Sequence, residues 1–180
     1  MKKSIIIIGI VVLALALVLT GCTDNKNDNG SSSQPKTVTM NAQEFGEDMK
    51  VEWLQTGMKT YFNSLDEGDT LIFQDEIDEI SYDQTTDITT IEFEYSQEEG
   101  EGTYTSSSQF MFDGNLTGDY SVGDEVKITV TIKHVTVTIQ GMNLDMEIYE
   151  EYWVSEQYFT DNYMTGNPYQ ALSTEKITKV

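Results

Sequence analysis

The chain has 180 residues, 31 of them acidic and 10 basic, for a formal net charge of −21. Every base is a lysine, so no arginine fork is available, and an anionic surface repels phosphates and acidic headgroups while attracting cations and basic partners. Ten Tyr, seven Phe and two Trp exclude a disordered acidic chain, and a single cysteine excludes a disulfide framework.

The N-terminus reads as a leader. Lys2 and Lys3 supply a positive flank, Ile5 to Leu19 form an apolar run of 15 residues, and Leu19-Thr20-Gly21-Cys22 comes next. A spanning helix needs about 20 apolar residues, so the run suits the core of a signal peptide over residues 1–21. The stretch "LTGC" resembles the lipobox of prokaryotic lipoproteins, bacterial or archaeal. The resemblance implies that Cys22 becomes the mature N-terminus and carries a thioether-linked lipid. The protein would then sit on the extracytoplasmic face of the cell membrane, held by two acyl chains, the number that stable anchoring takes. A plain secretory signal and an uncleaved anchor are the alternatives. Residues 22–37 are rich in Asn, Asp, Ser and Lys, a composition that cannot bury enough apolar area to order itself. They read as a disordered tether with a reach on the order of 20 Å.

Residues 38–67 read as a helical segment that packs on a β-barrel. Asn41 with Glu44 three residues later makes a capping box. Phe45, Met49, Leu54, Met58, Tyr61, Phe62 and Leu65 recur at near-helical spacing. Gly46 and Gly57 interrupt that pattern and narrow the expected helix to 49–63.

From Gly68 the period changes to two. "GDTLIFQDEIDEISYD" offers Leu71 and Phe73, then Ile77, Ile80 and Tyr82, one strand bent by a bulge where its apolar phase slips. "DITTIEFEY" sets Ile91, Phe93 and Tyr95 on one face and Thr90, Glu92 and Glu94 on the other. Gln109–Phe112 is a short apolar strand. Val126, Ile128, Val130 and Ile132 alternate, then the pattern changes face at Lys133 and His134 and continues through Val135, Val137 and Ile139. Gly141 to Asn143 is a turn, and Leu144, Met146 and Ile148 begin a strand that runs to about Val154.

These residues predict a mainly β domain over 68–154, a small five-stranded antiparallel barrel preceded by an α-helix, with a β-sandwich as the alternative. "DEGDTLIFQDEI", "TTIEFEY", "QFMFDGNL" and "YSVGDEVKITVTI" resemble the first four strands of the OB-fold. The helix that usually lies between the third and fourth strands has no counterpart in "DGNLTGDYSVGDE". Residues 155–180 add a short helix with Tyr158, Phe159 and Tyr163, a turn at Gly166 to Pro168, and a tail from Ser173 to Val180 that is expected to fray.

OB domains bind single-stranded nucleic acid in positive grooves or oligosaccharides on the same faces. With acids outnumbering bases threefold, phosphate contacts are unfavourable, so no nucleic-acid partner is expected. A noncatalytic module that binds a glycan, a peptide or an envelope protein fits better, with Tyr95 and Tyr104 as groove-lining aromatics. Asp113, Asn115, Thr117, Gly118, Asp119, Ser121 and Asp124 fall at positions 1, 3, 5, 6, 7, 9 and 12 of a calcium-loop template,. Calcium is therefore the one cofactor to test, through Asp113, Asn115, Thr117, Asp119 and Asp124, although strand flanks and turn chemistry explain the same residues. Asn115 to Thr117 is also an N-glycosylation sequon. The remaining acidic clusters read as solvated faces. His134 has no second histidine or thiol to complete a metal site, and no nucleophile elbow or phosphate loop occurs. An enzyme is not expected. A calcium-stabilised adhesive protein and a two-carboxylate hydrolase are the competing readings.

Overall fold

A computed structural model describes residues 34–99, 102–164, 166 and 168–180, with the backbone alone for 97–99 and 102–104. The chain is mainly β. Its first elements are β1 (Thr37–Met40), α1 (Ala42–Asp48), β2 (Met49–Leu54) and β3 (Gly57–Phe62). Then come β4 (Thr70–Glu76), β5 (Glu79–Asp83), β6 (Ile88–Glu99), β7 (Gly102–Asp113), β8 (Glu125–Ile139) and β9 (Met142–Tyr149). A 3₁₀ turn at Glu150–Tyr152, α2 (Glu156–Tyr163) and β10 (Ile177–Lys179) complete the order. One curled, half-barrel sheet runs β1-β4-β8-β9-β3-β2 with β10 also on β8, and β5-β6-β7 form a second sheet.

Two apolar phase slips shape this architecture. At Ile77 and Asp78 the expected bent strand divides, so β4 pairs with β8 while β5 pairs with β6. In β8 the buried residues are Val126, Ile128, Val130 and Ile132, then Val135, Val137 and Ile139. Because strand side chains alternate, a shift of one position moves every later apolar group to the opposite face. The first four accordingly join the main core and the last three a second core, where Phe159 of α2 covers them. The main core centres on Phe73, Phe93 and Phe110, whose ring centroids lie 4.7 to 6.0 Å apart and join β4, β6 and β7.

The structure corrects the expected helix over 49–63. The capping box at Asn41 and Glu44 is present, but it starts a helix of only 7 residues. Beyond it, β2 and β3 form an antiparallel hairpin in which Met49, Val51 and Trp53 face Phe62, Thr60 and Met58. Their period of two was hidden because apolar residues on the two arms fall three or four apart across the turn. Valine, threonine and aromatic residues on both arms favour the strand.

Among the described residues the strands do not close into a five-stranded barrel. The parallel ladder of β3 with β9, Gly57↔Asn143 to Thr60↔Met146, takes the edge of β9 that closure onto β7 would need. Nor does the tail end loosely. Leu172 bridges to Phe112, β10 pairs with β8, and Leu172 and Ile177 are 0% and 2% exposed. Lys176 reaches Glu151 at 2.7 Å and Lys179 reaches Asp124 at 2.7 Å. These two apolar anchors order the segment in spite of its polar composition.

Candidate functional site

The opening between β7 and β9 holds a cavity of about 150 Å³. Among the described residues no ladder joins the two strands; instead the rings of Phe110 and Tyr149 stack at 5.6 Å with 7° between their planes. Met49 and Val51 of β2 with Met58 and Phe62 of β3 form one wall, and Ser108 and Phe110 of β7 the other. Met146 and Tyr149 of β9 lie between them, and Tyr152 and Tyr169 also line the space. A void of this size between apolar walls accommodates one benzene-sized group. On β2 the same hairpin face continues by alternation to Trp53, which is 60% exposed.

Among the described residues, Glu147 is the one carboxylate in that lining. Its Oε2 accepts the Phe62 N–H at 2.7 Å where the β3–β9 ladder stops. Burial raises its pKa above the ordinary 4.5, and the negative charge of Asp66 pushes the same way; the Phe62 N–H and the charges of His134 and Lys59 pull back. Burial also raises Tyr149 and Tyr152, and it pushes Tyr169 up to about 12. These hydroxyls therefore stay protonated across ordinary pH. The Tyr152 hydroxyl accepts the Met111 N–H at 3.2 Å.

The outer edge of β7 is only partly used. Leu172 donates to the Met111 carbonyl at 2.7 Å and its carbonyl accepts from Asp113 at 2.9 Å, so Met111 and Asp113 direct their backbone groups away from β6. By the two-residue repeat Gln109, Ser107 and Thr105 direct theirs the same way. Among the described residues nothing bonds the Ser107 or Gln109 backbone on that side.

The residues singled out from sequence are dispersed. Tyr95 packs its ring against Gly46 of α1, where an added Cβ would lie 2.3 Å from it, and is not part of the cavity wall. Tyr104 pairs with Gln97 in the β6–β7 ladder, and its side chain lies outside the description. Cys22, the leader and most of the tether also lie outside the described residues.

In the Asp113–Asp124 loop, Asn115 Oδ1 accepts from both the backbone and the hydroxyl of Thr117, while Asp124 Oδ2 accepts the Ser121 N–H and pairs with Lys179. Among the described residues no three His, Cys, Asp or Glu side chains converge as a metal-binding group. His134 bonds through Nε2 to Asp145 Oδ1. Several acids expected on solvated faces are instead backbone acceptors: Asp75 for Ala42, Glu151 for Thr131 and Glu147 for Phe62. The cavity itself escaped sequence reading because β2, β3, β7 and β9 each supply only part of it.

No family model matches the chain and no curated protein matches it. Among solved structures, a small single-stranded DNA binding protein from Mycoplasma pneumoniae is similar over 48% of this chain and 97% of its own, at 10% identity and a TM-score of 0.25. This neighbour corrects the expectation that excluded a nucleic-acid partner, and that exclusion is withdrawn. A likeness this slight carries no argument about what the chain binds.

Proposed function

We propose that this protein is a lipid-anchored extracytoplasmic lipoprotein whose folded part is a noncatalytic binding module, an OB-like barrel opened between its third and fifth strands. Its ligand seat is the cavity between β7 and β9, and the apolar lining of that cavity is the observation that carries the reading. The strand order β7-β6-β5 followed by β4-β8-β9 supports the OB-like description. The apolar walls favour a peptide side chain over glycan hydroxyls, because buried hydroxyls need polar partners and Glu147, already bonded to Phe62, is the only carboxylate among the described lining residues.

The test is a panel of peptides and oligosaccharides bound to the native chain and to Ser108→Leu. Ser108 is 3% exposed and lines the cavity, so the larger side chain fills the seat. Peptide binding lost in a variant that still melts cooperatively supports the reading. Binding that is indifferent to the filled cavity overturns it.

A further inference from the structure

Resting on that reading, we propose that the open edge of β7 takes an extended peptide as an added strand, with one apolar side chain in the cavity and basic side chains on the outer face. The chain's own tail already makes this contact once, at Phe112 and Leu172. Leu172 leaves the preceding edge unused, and there Ser107 and Gln109 present N–H and C=O groups with no partner among the described residues. A strand added about 4.8 Å from β7 would satisfy them.

The pleat sets the side-chain pattern of the occupant. Positions sharing the face of Ser108 and Phe110 point into the cavity, which has room for one ring or branched aliphatic group,. Alternate positions share the face of Ser107 and Gln109, whose cross-strand neighbours on β6 are Glu94 and Glu92. Glu79 of β5 stands directly opposite Glu92. Like charges opposed across strands destabilise a sheet, and β5, β6 and β7 contain no lysine to relieve them. The Gln109 amide at 2.8 Å is the donor Glu92 receives on that face. Lysine or arginine on the outward positions of a bound strand would supply the missing charge.

The same field argues against the other natural occupant of a free edge, the β7 of a second copy. Two chains of formal charge −21 repel one another, whereas a basic peptide is drawn in.

The probe is acetyl-KTKFKTK-amide, with acetyl-KKKKTTF-amide as an isomer of equal charge and composition, measured by fluorescence anisotropy. The full-length chain is used in zwitterionic lipid nanodiscs, with empty nanodiscs as blank. The alternating peptide is expected to bind at least about tenfold more tightly than its isomer, one to two hydrogen bonds' worth of affinity. Amide exchange at Ser107 and Gln109 should slow in the complex. Ser107→Pro removes a donor from the free edge while leaving the bonds to β6 intact, and should weaken binding by about tenfold. Glu79→Gln with Glu94→Gln should weaken it severalfold and flatten its salt dependence. A peptide N-methylated at alternate residues repeats the edge test with the protein unaltered.

Equal binding of the two isomers, or no effect of both Ser107→Pro and N-methylation, overturns strand addition. If Ser108→Leu still abolishes binding in that case, the cavity stands as the seat of a different ligand. If it does not, the proposed function falls as well. Sedimentation showing a dimer that Ser107→Pro dissociates would replace the peptide with a second copy.

Discussion

Asp69 is 3% exposed, and its carboxylate accepts the Lys36 and Asp66 N–H groups, each at 2.9 Å, with the Lys36 ammonium at 3.3 Å. Burial pushes its pKa up, but the two backbone donors and the lysine outweigh that and hold the group below the ordinary 3.8. A depressed carboxylate contributes stability that is present above its unfolded pKa and lost as pH falls through the folded one. Asp69→Asn should therefore cost about 1–3 kcal/mol near neutrality and reduce the acid-induced loss below about pH 4, read from urea melts at several pH values. Glu147 has the opposite sign. Its raised pKa means that stability falls as pH rises from 4.5 through the folded value,. Glu147→Gln keeps an oxygen for the Phe62 N–H and removes the partly buried charge. The variant should melt at or above the native temperature at pH 7, with a flatter profile between pH 4 and 7; a clear drop at pH 7 would show that the charged form is needed.

Among elements, the β2–β3 hairpin decides the architecture, because it occupies the edge through which β9 would otherwise meet β7. Gly57 is the tight point: an added Cβ would lie 1.7 Å from the Asn143 carbonyl, a backbone atom with little freedom to move. Gly57→Ala should destabilise by about 1–3 kcal/mol and loosen the cavity wall, seen as faster amide exchange in β3. The Asp113–Asp124 loop is held by its own bonds and by Lys179. A cation there would have to displace the lysine from Asp124. Chelator should accordingly leave the melting temperature unchanged. A saturable, calcium-selective rise lost in Asp113→Ala would instead establish the site.

At the scale of the whole molecule, the acidic surface, the lipobox-like start and the cavity between β7 and β9 bear together on the proposed place and partner. Cys22→Ala should abolish incorporation of labelled fatty acid and move the protein from the membrane fraction to the soluble one. Label retained in that variant would refute lipid attachment at Cys22.

The β class, the α1 cap, the faces of β6 and the phase break of β8 were legible from the residues alone, since these depend on local spacing and the two-residue repeat. The sequence misled over 49–63 because apolar residues three or four apart fit one helix face as well as two strand arms, and only contact with β9 resolves the ambiguity. It suggested a frayed tail because Leu172 and Ile177 are too few to reveal burial before Phe112 and β8 are in place. The cavity lay beyond sequence reading for the same reason. Its walls come from separate strands, and a cavity is defined by the strand pairing that fails to form between β7 and β9. That outcome depends on which edge the hairpin occupies, so only the tertiary structure could decide it.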